Sequence, residues 1–401
     1  MGIFNFRKKT AGETISTPQE LDNFLMSIIR SSDAGVNVTP TNAMECPAVA
    51  ASVRLLASSI SQVPLTIYEN LAGGGREVAR DHENYSVLAI RPNEYQTSSQ
   101  FRRTMQLNLG LWGNAYARPV RLRSRVLELH PIHPSCVEVK QLNDYTVQYH
   151  IINNDGTKTV ETDIFHLKDF ASSSYVGQSR VLQSRQAIGL ALAAEKFGSL
   201  FFKNGAKSSG AWGIDGKLSE PAYKRLKESL AGIANGDSAH ETPLLEEGLK
   251  WQQMGFNAKD SQLTELREHQ VVEIARTWNV PLHKIQDLRH ATFSNIEHLG
   301  REYTQTSLKP WACEWEDELN QFLILDEDRE KYTIELDIDG FSRGDLATRT
   351  TFYNAGIQWG YMSPNEVRRL EKLPDIEGGD RYLRPVNMVY TDEKLNDETE
   401  T

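Results

Sequence analysis

The sequence predicts an α+β fold, with strand-rich and helical stretches in separate parts of the chain. Three observations carry that expectation. Residues 113–170 hold short runs of strand-forming residues bounded by turn signals. Residues 179–202 read as a helix with alanine, leucine and glycine on nearly every face. From Asp260 to Leu325 the chain reads as helix, Val-Pro stop, polar loop, capped helix, proline kink and more helix.

The first 40 residues are polar and mixed, apart from a short apolar stretch at Leu21 to Ile29, and read as a loosely held arm. The basic cluster Arg7-Lys8-Lys9 has no apolar run behind it, so no secretory signal is expected. Phe6 stands where a myristoylation site requires Ser or Thr. Thr41 or Asn42 can cap a helix carrying Val49, Val53, Leu56 and Ile60, which stops before Val63-Pro64. Leu65 to Tyr68 alternates as a strand, and Gly73-Gly74-Gly75 turns it into Arg76 to Arg80. After Ser98-Ser99 a second helix turns Phe101, Met105, Leu109 and Trp112 inward.

In the strand-rich part, Val126–Leu129, Val137–Val139, Tyr145–Ile151 and Lys158–Val160 read as a meander closed by Ile164–Leu167. Asn154-Asp155-Gly156 marks a hairpin turn. The Ser179–Phe202 helix, apolar all round, predicts burial on every side. Residues 206–257 form an insertion: Ser219-Glu220-Pro221 opens a helix, and Pro243–Leu245 and Lys250–Met254 are short strands.

The Asp260 helix carries Leu263, Leu266, Ile274 and Trp278 and ends at Asn279-Val280-Pro281. A polar loop runs from Leu282 to Phe293. Ser294-x-x-Glu297 is a capping box, and Pro310 bends the helix it starts. Trp311, Trp315, Leu319 and Phe322 continue its apolar stripe. Tyr332–Ile338 is a strand, and 345–372 holds two short helices around Gly360–Pro364. The end from Thr391 is an acidic tail.

Composition narrows the function. The chain has 401 residues and a net charge of −10, which argues against tight, static nucleic-acid binding. It leaves room for loose passage of DNA past a few basic side chains. Cys46, Cys136 and Cys313 are far apart and form no CxxC pair, so neither a zinc site nor a disulfide scaffold is expected. No run approaches the ~18 apolar residues of a membrane span. His130-Pro131-Ile132-His133 lacks a carboxylate at ligand spacing and reads as structural. The glycines at 73–75 lack the Lys-Ser or Lys-Thr of a phosphate loop, and no Gly-x-Ser-x-Gly elbow occurs. Glu314, Glu316, Asp317 and Glu318 read as a solvated helix face. No catalytic residue, metal site or cofactor is expected.

Several motifs, taken in order, resemble one family. Arg91-Pro92-Asn93 precedes Gly113-Asn114-Ala115-Tyr116-Ala117. Then come Asp163-Ile164-Phe165-His166-Leu167, Phe201-Phe202-Lys203-Asn204-Gly205-Ala206, Ile274-Ala275, Val280-Pro281, Ser294-Asn295 and Leu308-x-Pro310. Gly360, Asn365-Glu366-x-Arg368 and Gly378-Gly379-Asp380 close the series. The chain resembles, over about residues 41–385, the portal proteins of tailed bacteriophages, in the family typified by phage HK97. One departure is Arg180, which stands where the family's Gly-x-Ser-Pro-like turn has proline and predicts a less rigid turn.

The resemblance implies a portal-type fold: strand-rich wing, helical stem, small α/β clip and helical C-terminal crown, assembled as a ring, usually a dodecamer. By it, 1–40 is an arm, 41–179 the first part of the wing, and 180–205 and 258–281 the stem helices. The clip is 206–257, the tunnel loop 282–293, and 294–340 a kinked long helix and the rest of the wing. The crown is 341–390 and the acidic tail 391–401. His283, Lys284, Arg289 and His290 are the candidate channel residues, with solvent-facing loop charges as the alternative. The resemblance further implies a place in the virion at the capsid vertex, after assembly in the host cytoplasm. Double-stranded DNA would pass through in packaging and ejection. The implied partners are further copies of itself, the terminase large subunit, the major capsid protein and a head-completion or adaptor protein, with no membrane. A hydrolase-like enzyme and a non-viral ring-forming adaptor are the other readings.

Overall fold

The computed structural model describes residues 32–71, 75–153, 155–171, 175–203, 210–213, 220–221, 224, 250–253, 260–289, 300–338, 346–371 and 373–383. The chain divides into two units that meet in sequence between Leu336 and Asp337.

The first unit is built on two packed helices. Cys46 and Pro47 open α1 (Pro47–Gln62), with the proline in the first turn where its missing N–H costs nothing. Thr41 and Asn42, expected as caps, instead lead into a 3-10 turn, Asn42–Glu45. The Asn42 side chain accepts from the Thr39 amide at 2.7 Å. Val49, Val53, Leu56 and Ile60 are buried as their spacing predicts. Thr97 caps α2 (Ser98–Trp112) in a full capping box with Gln100. Phe101, Met105 and Leu109 face inward, but Trp112 is only half-buried, because the helix ends there and its ring turns toward a surface cleft. A Cβ on Gly110 would lie 3.3 Å from Val53, so the two helices approach closely there.

The strand-rich part is two sheets, not one meander. The strands are β1 (Leu65–Asn70), β2 (Arg76–Val78), β3 (Asn114–Leu122), β4 (Arg125–Ile132), β5 (Val137–Gln141), β6 (Val147–Ile152), β7 (Lys158–Glu161) and β8 (Phe165–Lys168). One sheet has the order β4-β3-β8 and the other β5-β6-β7. The 3-10 turn Pro134–Cys136 takes the chain from one sheet to the other. Tyr116, Tyr149, Ile151 and Ile164 form the apolar cluster that joins them. Gly156, at φ 81°, serves the hairpin between β6 and β7.

The expected long helix after Ser179 breaks once. Ser179 caps α3 (Arg180–Gln183), Ser184 interrupts, and α4 runs Arg185–Lys203. It is not buried on all sides in the single chain: Leu190, Phe197 and Leu200 are exposed. Residues 32–40, expected within a loose arm, are packed. Val38 is fully buried, and the Asp33 amide donates to Gln186 on α4 at 2.9 Å. In the insertion, β9 (Gly210–Gly213) pairs antiparallel with β10 (Lys250–Gln253). Glu220 and Pro221 are helical, and the Pro243–Leu245 strand lies outside the described residues.

Helix α5 (Asp260–Thr277) packs on α4 and on α1. The second capped helix is described from residue 300; its Ser294 box lies outside the described residues. The proline irregularity takes the form of a π-helical stretch, Tyr303–Leu308, followed by α6 (Lys309–Leu323) with Pro310 in its first turn. Trp315 sits at the centre of the core, edge-on to Phe101, close to Phe165 on β8, and bonded through Nε1 to Gln106 at 2.8 Å. β11 (Tyr332–Leu336) pairs with β1, giving the order β11-β1-β2. The acidic face of α6 is less solvated than expected. Glu316 accepts from the Leu336 amide at 2.8 Å, and Glu318 pairs with Lys168 at 2.8 Å.

The second unit holds α7 (Leu346–Gln358) and α8 (Pro364–Leu370). Ser363 and Glu366 make the capping box of α8. The Asn365 side chain grips both the amide and the carbonyl of Ile376, at 2.9 and 3.0 Å. Arg369 spans Asp375 and Asp380 at 2.7 and 3.2 Å.

Candidate functional site

Two places in the first unit gather the polar side chains that the packing alone does not require. One is a buried junction where β3, β8, α3, the end of α5 and α6 meet. The other is the loop that leaves α5.

The junction starts at Gly113, whose φ of 74° ends α2 in a left-handed cap. A Cβ there would lie 2.3 Å from the Gln178 carbonyl, and one on Gly177 would lie 2.0 Å from the Gly113 carbonyl. Only glycine fits either position. Asn114 then holds the 177 turn from both sides: its Oδ1 accepts from the Gly177 amide at 2.8 Å, and its Nδ2 donates to the Gly177 carbonyl at 2.8 Å. His166, opposite Tyr116 in the sheet, donates from Nε2 to the same Asn114 Oδ1 at 3.0 Å and accepts at Nδ1 from the Tyr149 hydroxyl at 3.3 Å. Burial, with Lys168 nearby, pushes the His166 pKa down to about 3, so the ring is neutral.

Arg180 closes the junction. It makes a two-pronged contact with Asp169, Nε to Oδ2 at 2.6 Å and Nη2 to Oδ1 at 2.8 Å. Its Nη1 donates to the Thr277 carbonyl at 3.0 Å, and the guanidinium lies 4.5 Å from the centre of the Trp311 ring. The Arg180 side chain thus ties the end of β8 and the last turn of α5 to α6. In place of the missing proline, two glycines, an asparagine and this arginine hold the turn by close approach and hydrogen bonds.

The loop starts from the same helix end. Trp278 is fully buried and donates to the Gly110 carbonyl at 2.9 Å. Asn279 takes φ 52°, a left-handed position that asparagine tolerates. Pro310 has no N–H to offer the Thr306 carbonyl four residues back. Asn279 Nδ2 supplies the missing donor at 2.8 Å, and the Asn279 carbonyl accepts from Ser307 Oγ at 2.5 Å. Asn279 therefore fastens the loop's base to the π-helical stretch. Pro281 follows, and the expected irregular loop begins as a 3-10 turn, Leu282–Ile285.

His283, Lys284 and Arg289 do share this loop; His290 lies outside the described residues. His283 is half-buried, its Nε2 has no hydrogen-bond partner among the described residues, and burial together with Lys284 pushes its pKa down. It is neutral at pH 7. Lys284 is exposed, 5.4 Å from the Tyr303 ring centre, and Tyr303 is fixed by Ser59 Oγ at 2.8 Å. Arg289 is exposed but engaged. Nε donates to Asp287 Oδ1 at 2.8 Å, Nη2 to Asp287 Oδ2 at 2.5 Å, and Nη1 meets Glu268 of α5 at 2.5 Å.

Comparison with known proteins now decides the family. The model of the family described as "Phage portal protein" matches residues 47–372. The chain belongs to the phage portal protein family. It is 30% identical to the portal protein of Enterobacteria phage HK97, over 84% of this chain and 81% of that one. Its fold is similar to the HK97-family phage portal protein structure from Corynebacterium diphtheriae, at TM-score 0.59 and 15% identity, covering 76% of this chain and 96% of that one. It is also similar to a chain in the neck of a native gene transfer agent particle computed with C12 symmetry. There the TM-score is 0.54 at 23% identity, over 88% and 99% of the two chains.

For a member of the portal family, the resemblance motifs acquire physical meaning. Gly113-Asn114 and His166 build the buried junction, while Val280-Pro281 and Leu308-x-Pro310 build the loop's base. The sequence marks Asn279 only as a helix end and says nothing of Asp169 or Ser307, because the partners that give these residues their roles are 11 to 28 residues away. Among the described residues no three His, Cys, Asp or Glu side chains come together as a metal site, and no helix is long and apolar enough to cross a membrane. A surface cleft of about 850 Å3, lined partly by Trp112, Ser135, Ser179 and Arg185, adjoins the junction. At its edge His133 Nδ1 lies 2.7 Å from Ser135 Oγ, but the same nitrogen accepts the Ser135 amide. That pair is a turn cap, not an activated nucleophile.

Proposed function

We propose that this chain is one subunit of a closed, twelve-membered portal ring at a single vertex of a phage head, through which double-stranded DNA enters and leaves. Family membership supports the portal assignment, and the C12 neck of a structurally similar chain supports twelve copies. The observation that carries the ring is the outer face of α4. Leu190, Phe197 and Leu200 are exposed at a spacing that places them along one stripe of the helix. A like helix from a second copy is a natural cover for such a stripe, and head-to-tail contacts of this kind close into rings.

In this reading residues 41–179 are the first part of the wing, 180–205 and 258–281 the stem, 206–257 the clip, 282–293 the tunnel loop and 341–390 the crown. The clip would dock the terminase large subunit and later the head-completion protein, and the major capsid protein would surround the ring. Lys284 is the principal DNA-facing cation; His283, Arg289 and His290 lie in the same loop. Contacts to phosphate alone are blind to sequence and weaken with salt, which suits a duplex that must slide.

Native mass spectrometry of the purified chain, with negative-stain images of the same sample, tests the ring. The expected result is a dodecamer, or a near-dodecamer, with an axial hole. A compact dimer that resists assembly even with capsid and scaffold proteins would overturn it.

A further inference from the structure

We propose that Asp287 and Glu268 mask Arg289, so that the loop presents one working cation per subunit, Lys284, in place of the two its sequence offers. The inference rests on the reading of 282–293 as a DNA-facing loop.

The geometry is specific. All three nitrogens of the Arg289 guanidinium face a carboxylate oxygen: Nε and Nη2 on Asp287, Nη1 on Glu268. Asp287 is only two residues away, and its own amide is bonded to the Leu282 carbonyl at 3.1 Å, so its side chain is set by the 3-10 turn. Glu268 comes from the preceding helix. The same pattern recurs along α5, where Arg276 pairs with Glu273. Lys284, by contrast, has no ion-pair partner among the described residues and is exposed. With His283 held neutral, Lys284 and Arg289 against Asp287 and Glu268 leave no net charge.

The consequence concerns sliding. Each arginine or lysine that meets a phosphate releases counterions and adds to affinity, so contacts repeated around a ring multiply. A phosphate reaching Arg289 must first displace two carboxylates that already fill the fork. The masked arginine keeps the loop's position without adding grip.

Binding of a fluorescein-labelled DNA duplex to the full-length protein, followed by anisotropy across salt concentrations, tests this with five forms. They are the native chain, Lys284→Ala, Arg289→Ala, the pair Asp287→Asn with Glu268→Gln, and that pair combined with Arg289→Ala. Circular dichroism melts confirm that each is folded, and Glu268→Gln alone serves if the pair is not. Arg289→Ala alone should weaken binding less than Lys284→Ala does, through lost net charge only. The unmasked pair should bind about tenfold tighter at low salt, with a slope of log affinity against log salt steeper by about 0.9 for each Arg289 that reaches a phosphate. Adding Arg289→Ala should remove most of that gain and the added slope, leaving only what the loss of two carboxylates gives by charge. The masking is overturned if Arg289→Ala weakens binding as much as Lys284→Ala does, if unmasking yields no gain, or if the gain and the slope survive loss of Arg289 undiminished. A Lys284→Ala variant that binds like the native chain would instead count against the DNA-facing loop itself.

Discussion

Arg180 and Arg289 grip carboxylates with the same two-pronged geometry, and they do opposite things. Arg180 holds Asp169, whose side chain is only 4% exposed, under a tryptophan ring and against a helix-end carbonyl. Arg289, 40% exposed against 22% for Arg180, holds Asp287, 11% exposed, and Glu268, 49% exposed. A buried charge that loses its partner has no water to turn to, whereas an exposed one rehydrates. The first fork is therefore structural, and the second sets how much charge the surface shows.

The largest test of that contrast is Arg180→Ala. It should cost about 3–5 kcal/mol of stability, because Asp169 is left buried with no opposite charge and only the Phe170 amide to bond. Chemical denaturation reads the loss, and a cost below about 1 kcal/mol would dissolve the distinction. Next comes pH. His166 in the same junction has its folded pKa pushed down to about 3, below the ordinary value of 6.5. Its contribution is therefore complete above pH 6.5 and lost as pH falls toward 3. The loss is about 1.4 kcal/mol per pH unit in that window. A His166→Gln variant should flatten the acid limb of stability, measured by thermal melts between pH 7 and 4. Asn279→Ala, at the base of the loop, removes a side-chain bond and puts alanine at φ 52°; about 1–3 kcal/mol is expected from the same denaturation curves. Arg289→Ala should change stability by less than about 1 kcal/mol, and by less still at high salt.

The sequence resolved most of the scaffold and little of this contrast. Helices α1 and α5 follow from apolar spacing and from prolines at their borders, and α2 from apolar spacing after Ser98-Ser99, all of which act locally. β3 escaped notice because Arg118-Pro119 interrupts its pattern. Beyond Ala117 that strand has no partner on the β8 side, so the proline there withholds no hydrogen bond. The polar loop was legible from Val280-Pro281, and so were its cations. The pairing of Arg289 was not, because Glu268 reaches it from another turn of the chain. Arg180 was read as a departure from a proline-bearing turn. Its partner Thr277 lies 97 residues later, and nothing local announces it.

The π-helical stretch from Tyr303 to Leu308 carries a further implication for engineering and for drift. Such a stretch holds one residue more than an ordinary helix needs to cover the same rise. Removing a single residue from it would let the helix close normally with both flanks keeping nearly their present facing, because the bulge itself takes up the extra residue. The contacts made from the bulge, Tyr303 to Ser59 and Thr306 to Asn279, are the ones such a deletion would disturb. The polar loop would then lose its fastening with every residue of the loop itself intact. A deletion in this one stretch is thus a short route by which a related chain could free the loop's base without turning the helices beside it.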